Sequence, residues 1–405
     1  VRREGGLRRP YASVSAQALL ALSVDVMGLF AGGLVSLLSP WFRSKLWLLA
    51  LYPPILTVRG DISGIFSGNL STMLHLGLIL PRLRRNTDTY YSLISSIYVL
   101  TFLDTLGMGL ISFTLNLLIG IASPTHVSLY LLIPTMTCIL AVLVSMPITM
   151  FIAITGYKRG LDPDIIVYPY LSSINDVLVS ASYAATSTLA LSGDLGFSIL
   201  SAAFLSFLIV SALIAWKRRG DSLFREIIRE GTVTVLLSTL LASLNGIILS
   251  RLTGRILRHP GILILYPALI DTLGDIGSII GSLTTTSLAL GYVRDLRGIL
   301  NEGLRRTMMI EAIAAPLHLL FAVVTFLLLG IPNIEVLRFL IIISLLSNLF
   351  SFLAISLFTL LLAHITYQRG LNPDNVVIPA ITSTSDAVAT FTLLPALAIT
   401  RLLRP

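Results

Sequence analysis

Apolar residues fill this chain in long runs rather than in stripes. The runs have cores near 14–39, 46–80, 89–122, 127–155, 165–191, 195–216, 231–252, 260–292, 307–331, 335–363 and 374–400. A helix needs about 20 such residues to cross a bilayer, so the pattern predicts an all-α polytopic membrane protein of about 11 transmembrane helices. The second and eighth runs exceed one straight crossing and carry Pro, Gly and polar residues midway, so a tilted or broken helix is expected in each. The first run is too long for a cleavable signal peptide and reads as a span. The one polar stretch of any length follows the sixth run and reads as a short amphipathic loop.

Composition agrees with the pattern. Only 12% of residues are charged and 55% are hydrophobic, where a soluble domain carries about 25% charged residues. The single cysteine, Cys138, excludes an intrachain disulfide and a cysteine metal cluster. The net charge of +8 sits in the connections. One side holds Arg2, Arg3, Arg8, Arg9, Arg82, Arg84, Arg85, Lys158 and Arg159, then Lys217, Arg218, Arg219, Arg294, Arg297, Arg305, Arg306 and Arg369. The opposite side is sparse, so the bias places the N-terminus in the cytoplasm and the C-terminus outside. The basic charge is therefore topological, with the lipid bilayer as its partner, and no basic run is interleaved with aromatics as nucleic-acid binding would require.

The chain also repeats itself. "YKRGLDPD" at Tyr157–Asp164 returns as "YQRGLNPD" at Tyr367–Asp374. The stretch from Tyr52 pairs without a gap with that from Tyr266, matching Gly60 to Gly274, Asp61 to Asp275, Thr72 to Thr286 and Gly77 to Gly291. Two related five-span halves, 11–191 and 228–400, are thus expected, joined by a linking helix and cytoplasmic loop at 192–227. Five spans end opposite their start and the sixth returns the chain. The repeats are then parallel, related by a pseudo-two-fold axis along the membrane normal.

The repeated motifs carry the candidate chemistry. Gly160 ends the fourth span, Asp162 and Asn372 stand where an N-cap belongs, Pro163 and Pro373 at the first helical position, Asp164 and Asp374 in the first turn. Twelve residues further on, Asp176 and Asp386 lie roughly 18 Å along the helix, near mid-membrane. An ionised carboxylate there costs at least about 2.5–3.5 kcal/mol without a partner or water. The basic residue inside a span is Arg59, whose equivalent is Leu273, so one cation cannot serve both copies. Asp176 and Asp386 are read as functional, lacking a basic partner, and Asp→Asn should leave the fold intact or firmer. Asp61 and Asp275 lie further out and read as ligand or vestibule groups. The glycines at 60, 64 and 68 read as a small-residue face for close helix approach. Asp25, Asp104 and Asp271 have no repeat partner; each is either an accessory site or a helix–helix hydrogen bond.

Several activities are excluded. "TLGD" at Thr272–Asp275 resembles part of the signature of intramembrane aspartyl proteases, but Thr272 replaces its first Gly and the motif is doubled as "VRGD". His75, His126, His259, His318 and His364 have no zinc-hydrolase spacing, and no phosphate-binding GxxxxGK[ST] occurs.

The doubled "GLDPD…P…SS…D" and "GLNPD…P…TS…D", with "P…GD…S…G" ahead of each, resemble the transmembrane domain of the MgtE family. The nearer likeness is to eukaryotic magnesium-transporting solute carriers that fuse two such domains. The resemblance implies Mg²⁺ transport at the interface of the two halves, with the family's membrane carboxylate falling on Asp176 and Asp386. It implies a transporter or channel rather than an enzyme, no cofactor beyond the transported ion, a plasma-membrane location, and a functional monomer. Where the family has Asn, this chain has Asp61 and Asp275, which leaves Mn²⁺ and other divalents open. Asn175 and Ser385 stand where the fused carriers have Gly. Mg²⁺ keeps several waters and prefers oxygen ligands, so Asn175, Ser172, Ser385 and Thr382 are candidates to hold a hydrated ion beside the two carboxylates. The alternative is a Na⁺- or H⁺-coupled carrier of another cation.

Overall fold

The computed structural model describes residues 19, 22–158, 163–289, 296–369 and 373–402. Most of these are helical, with no strand among them. The helices are α1 (Val26–Ser36), α2 (Ser39–Ser44), α3 (Leu46–His75), α4 (Asp88–Leu118), α5 (Val127–Lys158), α6 (Pro163–Leu191) and α7 (Asp194–Arg218). They continue as α8 (Ser222–Arg251), a short α9 (Thr253–Ile256), α10 (Gly261–Ala289), α11 (Leu296–Leu329), α12 (Ile334–Gln368) and α13 (Pro373–Leu402).

Among the described residues seven helices are long and apolar enough to cross a membrane: α4, α5, α7, α8, α10, α11 and α12. Two shorter apolar helical stretches, Leu22–Ser36 and Ser383–Ile399, accompany them. Helices α3 and α6 are as long as their neighbours, and bear Arg59, Asp61, Asn175 and Asp176 in mid-helix. This is an all-α membrane architecture.

Helix starts follow local chemistry. Thr87 caps α4, its hydroxyl accepting from the Tyr90 N–H, and Asp88 adds a negative charge at the positive end of the helix dipole. Asp221 caps α8 by accepting from the Leu223 and Phe224 N–H groups at 3.0 and 3.3 Å. Pro163 and Pro373 open α6 and α13 as expected at a first helical position. The cap residues Gly160, Asp162 and Asn372 lie outside the described residues, as does Gly291, and so do the side chains of Asp164, Asp374, Thr72 and Thr286.

Three expectations need correction. Of the tilted or broken helices expected in the second and eighth runs, the break is not found: α3 runs on through Pro53 and Pro54, and α10 through Pro267. Proline removes a hydrogen bond to the carbonyl four residues back, and in α3 this frees the carbonyl of Ala50. A Cβ built on Gly246 of α8 would run into that carbonyl. The proline's defect is thus the point where a neighbouring backbone approaches, in place of a break. Second, the polar stretch after the sixth run is not a loop along its length, since α8 begins at Ser222. Third, the glycine stripe at 60, 64 and 68 is not a crossing point at its ends: a Cβ on Gly60 or Gly68 would have nothing within 4 Å. The close crossings are made elsewhere. A Cβ on Gly28 would lie 2.8 Å from the Ala268 backbone, and one on Gly32, a turn on, would strike the Ile264 carbonyl.

The chain divides into two compact units, one of Met27–Ala268 and one of Val1–Val26 with Leu269–Pro405. In the first, α3 and α4 both lie against α8, and α5 lies against α6. Helix α8, which the sequence places at the start of the second repeat, therefore packs among helices of the first. Helix α7 buries little of itself: Leu195, Ile199, Leu205, Ile209, Leu213 and Trp216 are exposed, a surface suited to lipid. In the second unit α12 lies between α11 and α13.

Candidate cation sites

In the unit of residues 27–268 the motif helices α3 and α6 meet along a polar seam. Arg59 Nη2 of α3 forms an ion pair with Asp176 Oδ1 of α6, and both side chains are almost fully buried. This corrects the expectation that Asp176 lacks a basic partner. Arg59 and Ser63 are four residues apart and share a face of α3. Asn175 Nδ2 donates to Ser63 Oγ at 3.2 Å. Asn175 Oδ1 is buried and has no hydrogen-bond partner among the described residues. Ser172 is half-buried one turn back, and Asp61 is half-buried on α3. At the end of the seam nearer the start of α3, Tyr183 Oη donates to the Leu48 carbonyl. Tyr52 Oη shares a 3.0 Å hydrogen bond with Ser180 Oγ and stacks on Tyr183. Tyr52 also lies 6.5 Å, centroid to centroid, from Tyr266, its equivalent in the repeat.

The unit containing residues 269–405 repeats the seam with different charges. Ser385 of α13 lies over Gly274 of α10, its Oγ 3.3 Å from where a Cβ on that glycine would stand. Gly274 is the repeat equivalent of Gly60, where a Cβ would meet nothing within 4 Å, so this contact is not reproduced in the first unit. Ser385 is buried and Asp386 is half-buried. Asp275 is buried, and its Oδ2 has no hydrogen-bond partner among the described residues. The side chain of Thr382 lies outside the described residues.

Sequence reasoning missed two groups. Glu311 of α11 accepts from Asn348 Nδ2 of α12 at 2.7 Å, a pairing between distant positions that nothing in the local sequence signals. The Arg59 pair was half visible, since Arg59 stood out as a cation inside a span. Asp104 is buried on α4 facing Thr232 of α8, and neither of its oxygens makes a well-formed hydrogen bond among the described residues. Among those residues no three His, Cys, Asp or Glu side chains converge closely enough to ligate one bare metal ion. What the seams offer is carboxylate, amide and hydroxyl oxygen, the donor set of a hard cation that keeps its waters.

Comparison with known proteins follows the same division. The sequence model of the MgtE family, described as a divalent cation transporter, matches residues 52–186 and again 266–396. Solute carrier family 41 member 3 of Rattus norvegicus is 23% identical over 412 residues, covering 95% of this chain and 87% of that protein. The protein of the same name from Mus musculus is 23% identical over 388 residues, covering 89% and 77%. No solved structure matches the chain.

Proposed function

Since the chain belongs to the MgtE family of divalent cation transporters, we propose that it carries Mg²⁺ across the membrane along the interface of its two repeats. The observation that supports this most is the register of the match. Both matched segments contain the same pair of motifs, and each brings its second-span Gly-Asp and its fifth-span Asp onto facing helices of one unit. In this reading the repeats run parallel about an axis along the membrane normal, with 11 spans and the N-terminus in the plasma membrane's cytoplasmic face. One chain then does what two copies of a single domain would do, and a monomer suffices. Asp176 and Asp386 supply the mid-membrane negative charge, and Asn175, Ser172, Ser385 and Thr382 hydrogen-bond to the waters of the ion.

Arg59 changes how the two carboxylates share the work. A divalent ion beside Asp176 competes with a guanidinium already in place. Asp176 is then a gated ligand, open to the ion when Arg59 gives way. Purified protein in liposomes loaded with a Mg²⁺ indicator tests the function. Uptake down an imposed Mg²⁺ gradient, competed by Mn²⁺ and indifferent to a Na⁺ or H⁺ gradient, is the expected result. Liposomes that take up no Mg²⁺ while the protein is folded and inserted would sink the reading.

A further inference from the structure

The two copies of the second-span motif have diverged in charge. In the first repeat α3 carries Thr57, Arg59 and Asp61; at the same positions α10 carries Asp271, Leu273 and Asp275. The formal charge of the three positions is therefore zero in one and minus two in the other. A third carboxylate joins the acidic copy: Asp25 lies within electrostatic reach of both Asp271 and Asp275, and the Thr272 hydroxyl donates to it. Asp25 is 1% exposed and Asp275 is 7% exposed. Oδ2 of Asp25 and Oδ2 of Asp275 are both buried and have no hydrogen-bond partner among the described residues.

Buried carboxylates within electrostatic reach of one another are costly when ionised unless a cation or a proton offsets their charge. A helix packing requirement does not account for them, since Asp271, which is half-buried, is Thr in the other copy, where Thr57 is buried. We propose that Asp25, Asp271 and Asp275 form a second cation site, which takes a hydrated divalent ion and which has no counterpart around Thr57, Arg59 and Asp61 of α3. Three carboxylates do not converge closely enough to strip and ligate a bare ion. The ion held there keeps its waters, which donate to the two unpartnered oxygens, as Mg²⁺ prefers. The site rests on the cation-transport reading for its ion, and it makes transport asymmetric. The α10 copy of the motif joins Asp25 in a staging site of three carboxylates, while the α3 copy presents a guanidinium. The other occupant such a cluster admits is protons.

Mn²⁺ is the probe, measured as the loss of the free-ion EPR signal on titration into the full chain in detergent at fixed ionic strength, with Mg²⁺ as competitor. Asp25→Asn and Asp271→Asn should each weaken one class of Mn²⁺ sites by about tenfold or more, a difference of about 1.4 kcal/mol. Asp104→Asn, a buried carboxylate outside the cluster, should leave that class unchanged. A second measurement needs no variant: an apolar carbodiimide should modify Asp25 and Asp271 in wild-type protein, and Mg²⁺ should block the labelling. Mn²⁺ binding unaltered in both variants, or labelling indifferent to Mg²⁺ at every pH, would overturn the site and leave protons as the occupant. The two readings fail separately. Binding lost in the variants without wild-type flux keeps the site and removes the transport reading, while flux with unaltered binding does the reverse.

Discussion

At the scale of single residues the Arg59–Asp176 pair decides most. A buried ion pair contributes little net stability, but removing one partner strands the other at a cost of about 3–5 kcal/mol. Asp176→Asn is thus expected to destabilise the protein, the reverse of what its mid-membrane position alone suggests. Arg59→Gln should cost a similar amount, and the double variant should recover most of the loss; thermal unfolding in detergent measures all three. Additive losses in the double variant would show that the pair is not coupled. The sequence located Asp176 by its depth and its repetition, and it exposed Arg59 as a cation inside a span. It could not show that they meet, because nothing local fixes how α3 and α6 are rotated against each other. At the membrane edge, Asp221 has a different signature. Burial pushes its carboxyl up, but the Ser92 hydroxyl, the Phe224 and Leu223 N–H groups and Arg218 together hold it below the usual carboxylate value. A depressed carboxylate stabilises the fold fully above its unfolded pKa, about 3.9, and that contribution fades as pH falls through the lower folded value. Wild-type protein should therefore lose melting temperature relative to Asp221→Ala as pH is lowered below about 4. Parallel pH profiles for the two would contradict this role for the cap.

Elements were legible where periodicity alone sets them. Long apolar runs mark their own helices, and Pro163 and Pro373 open α6 and α13 where the sequence placed them. Where neighbours meet was not legible. The stripe at 60, 64 and 68 has the spacing of a packing face, yet Gly60 and Gly68 face open space, while Gly28, Gly32 and Gly246 sit against backbone. Glycine spacing says that an approach is sterically allowed; only the partner helix says whether it happens. Gly246→Ala should accordingly push α8 off α3 and cost about 1–3 kcal/mol as an overpacking change. Gly60→Ala should cost under about 1 kcal/mol, the small helix-propensity term favouring Ala. Equal melting temperatures for Gly246→Ala and wild type would show that the α3–α8 contact is looser than described.

For the whole molecule, the doubled motifs made the family legible, and the match over 52–186 and 266–396 bears that out. The packing of α8 with α3 and α4 was not legible, because a repeat in sequence need not be a unit in space. The charge asymmetry between the repeats likewise emerged only when Arg59 and Asp25 were placed beside their partners. The central claim is that divalent cations cross past the duplicated mid-membrane carboxylates. It is tested most directly at Asp386, where charge can be removed without stranding Arg59. The measurement is the initial rate of Mg²⁺ uptake into liposomes by Asp386→Asn and by wild type at equal, verified insertion. The account predicts that uptake by the variant collapses toward the protein-free rate, because a strongly hydrated divalent ion has lost one of its two counter-charges at mid-membrane. Uptake by Asp386→Asn at the wild-type rate would contradict it.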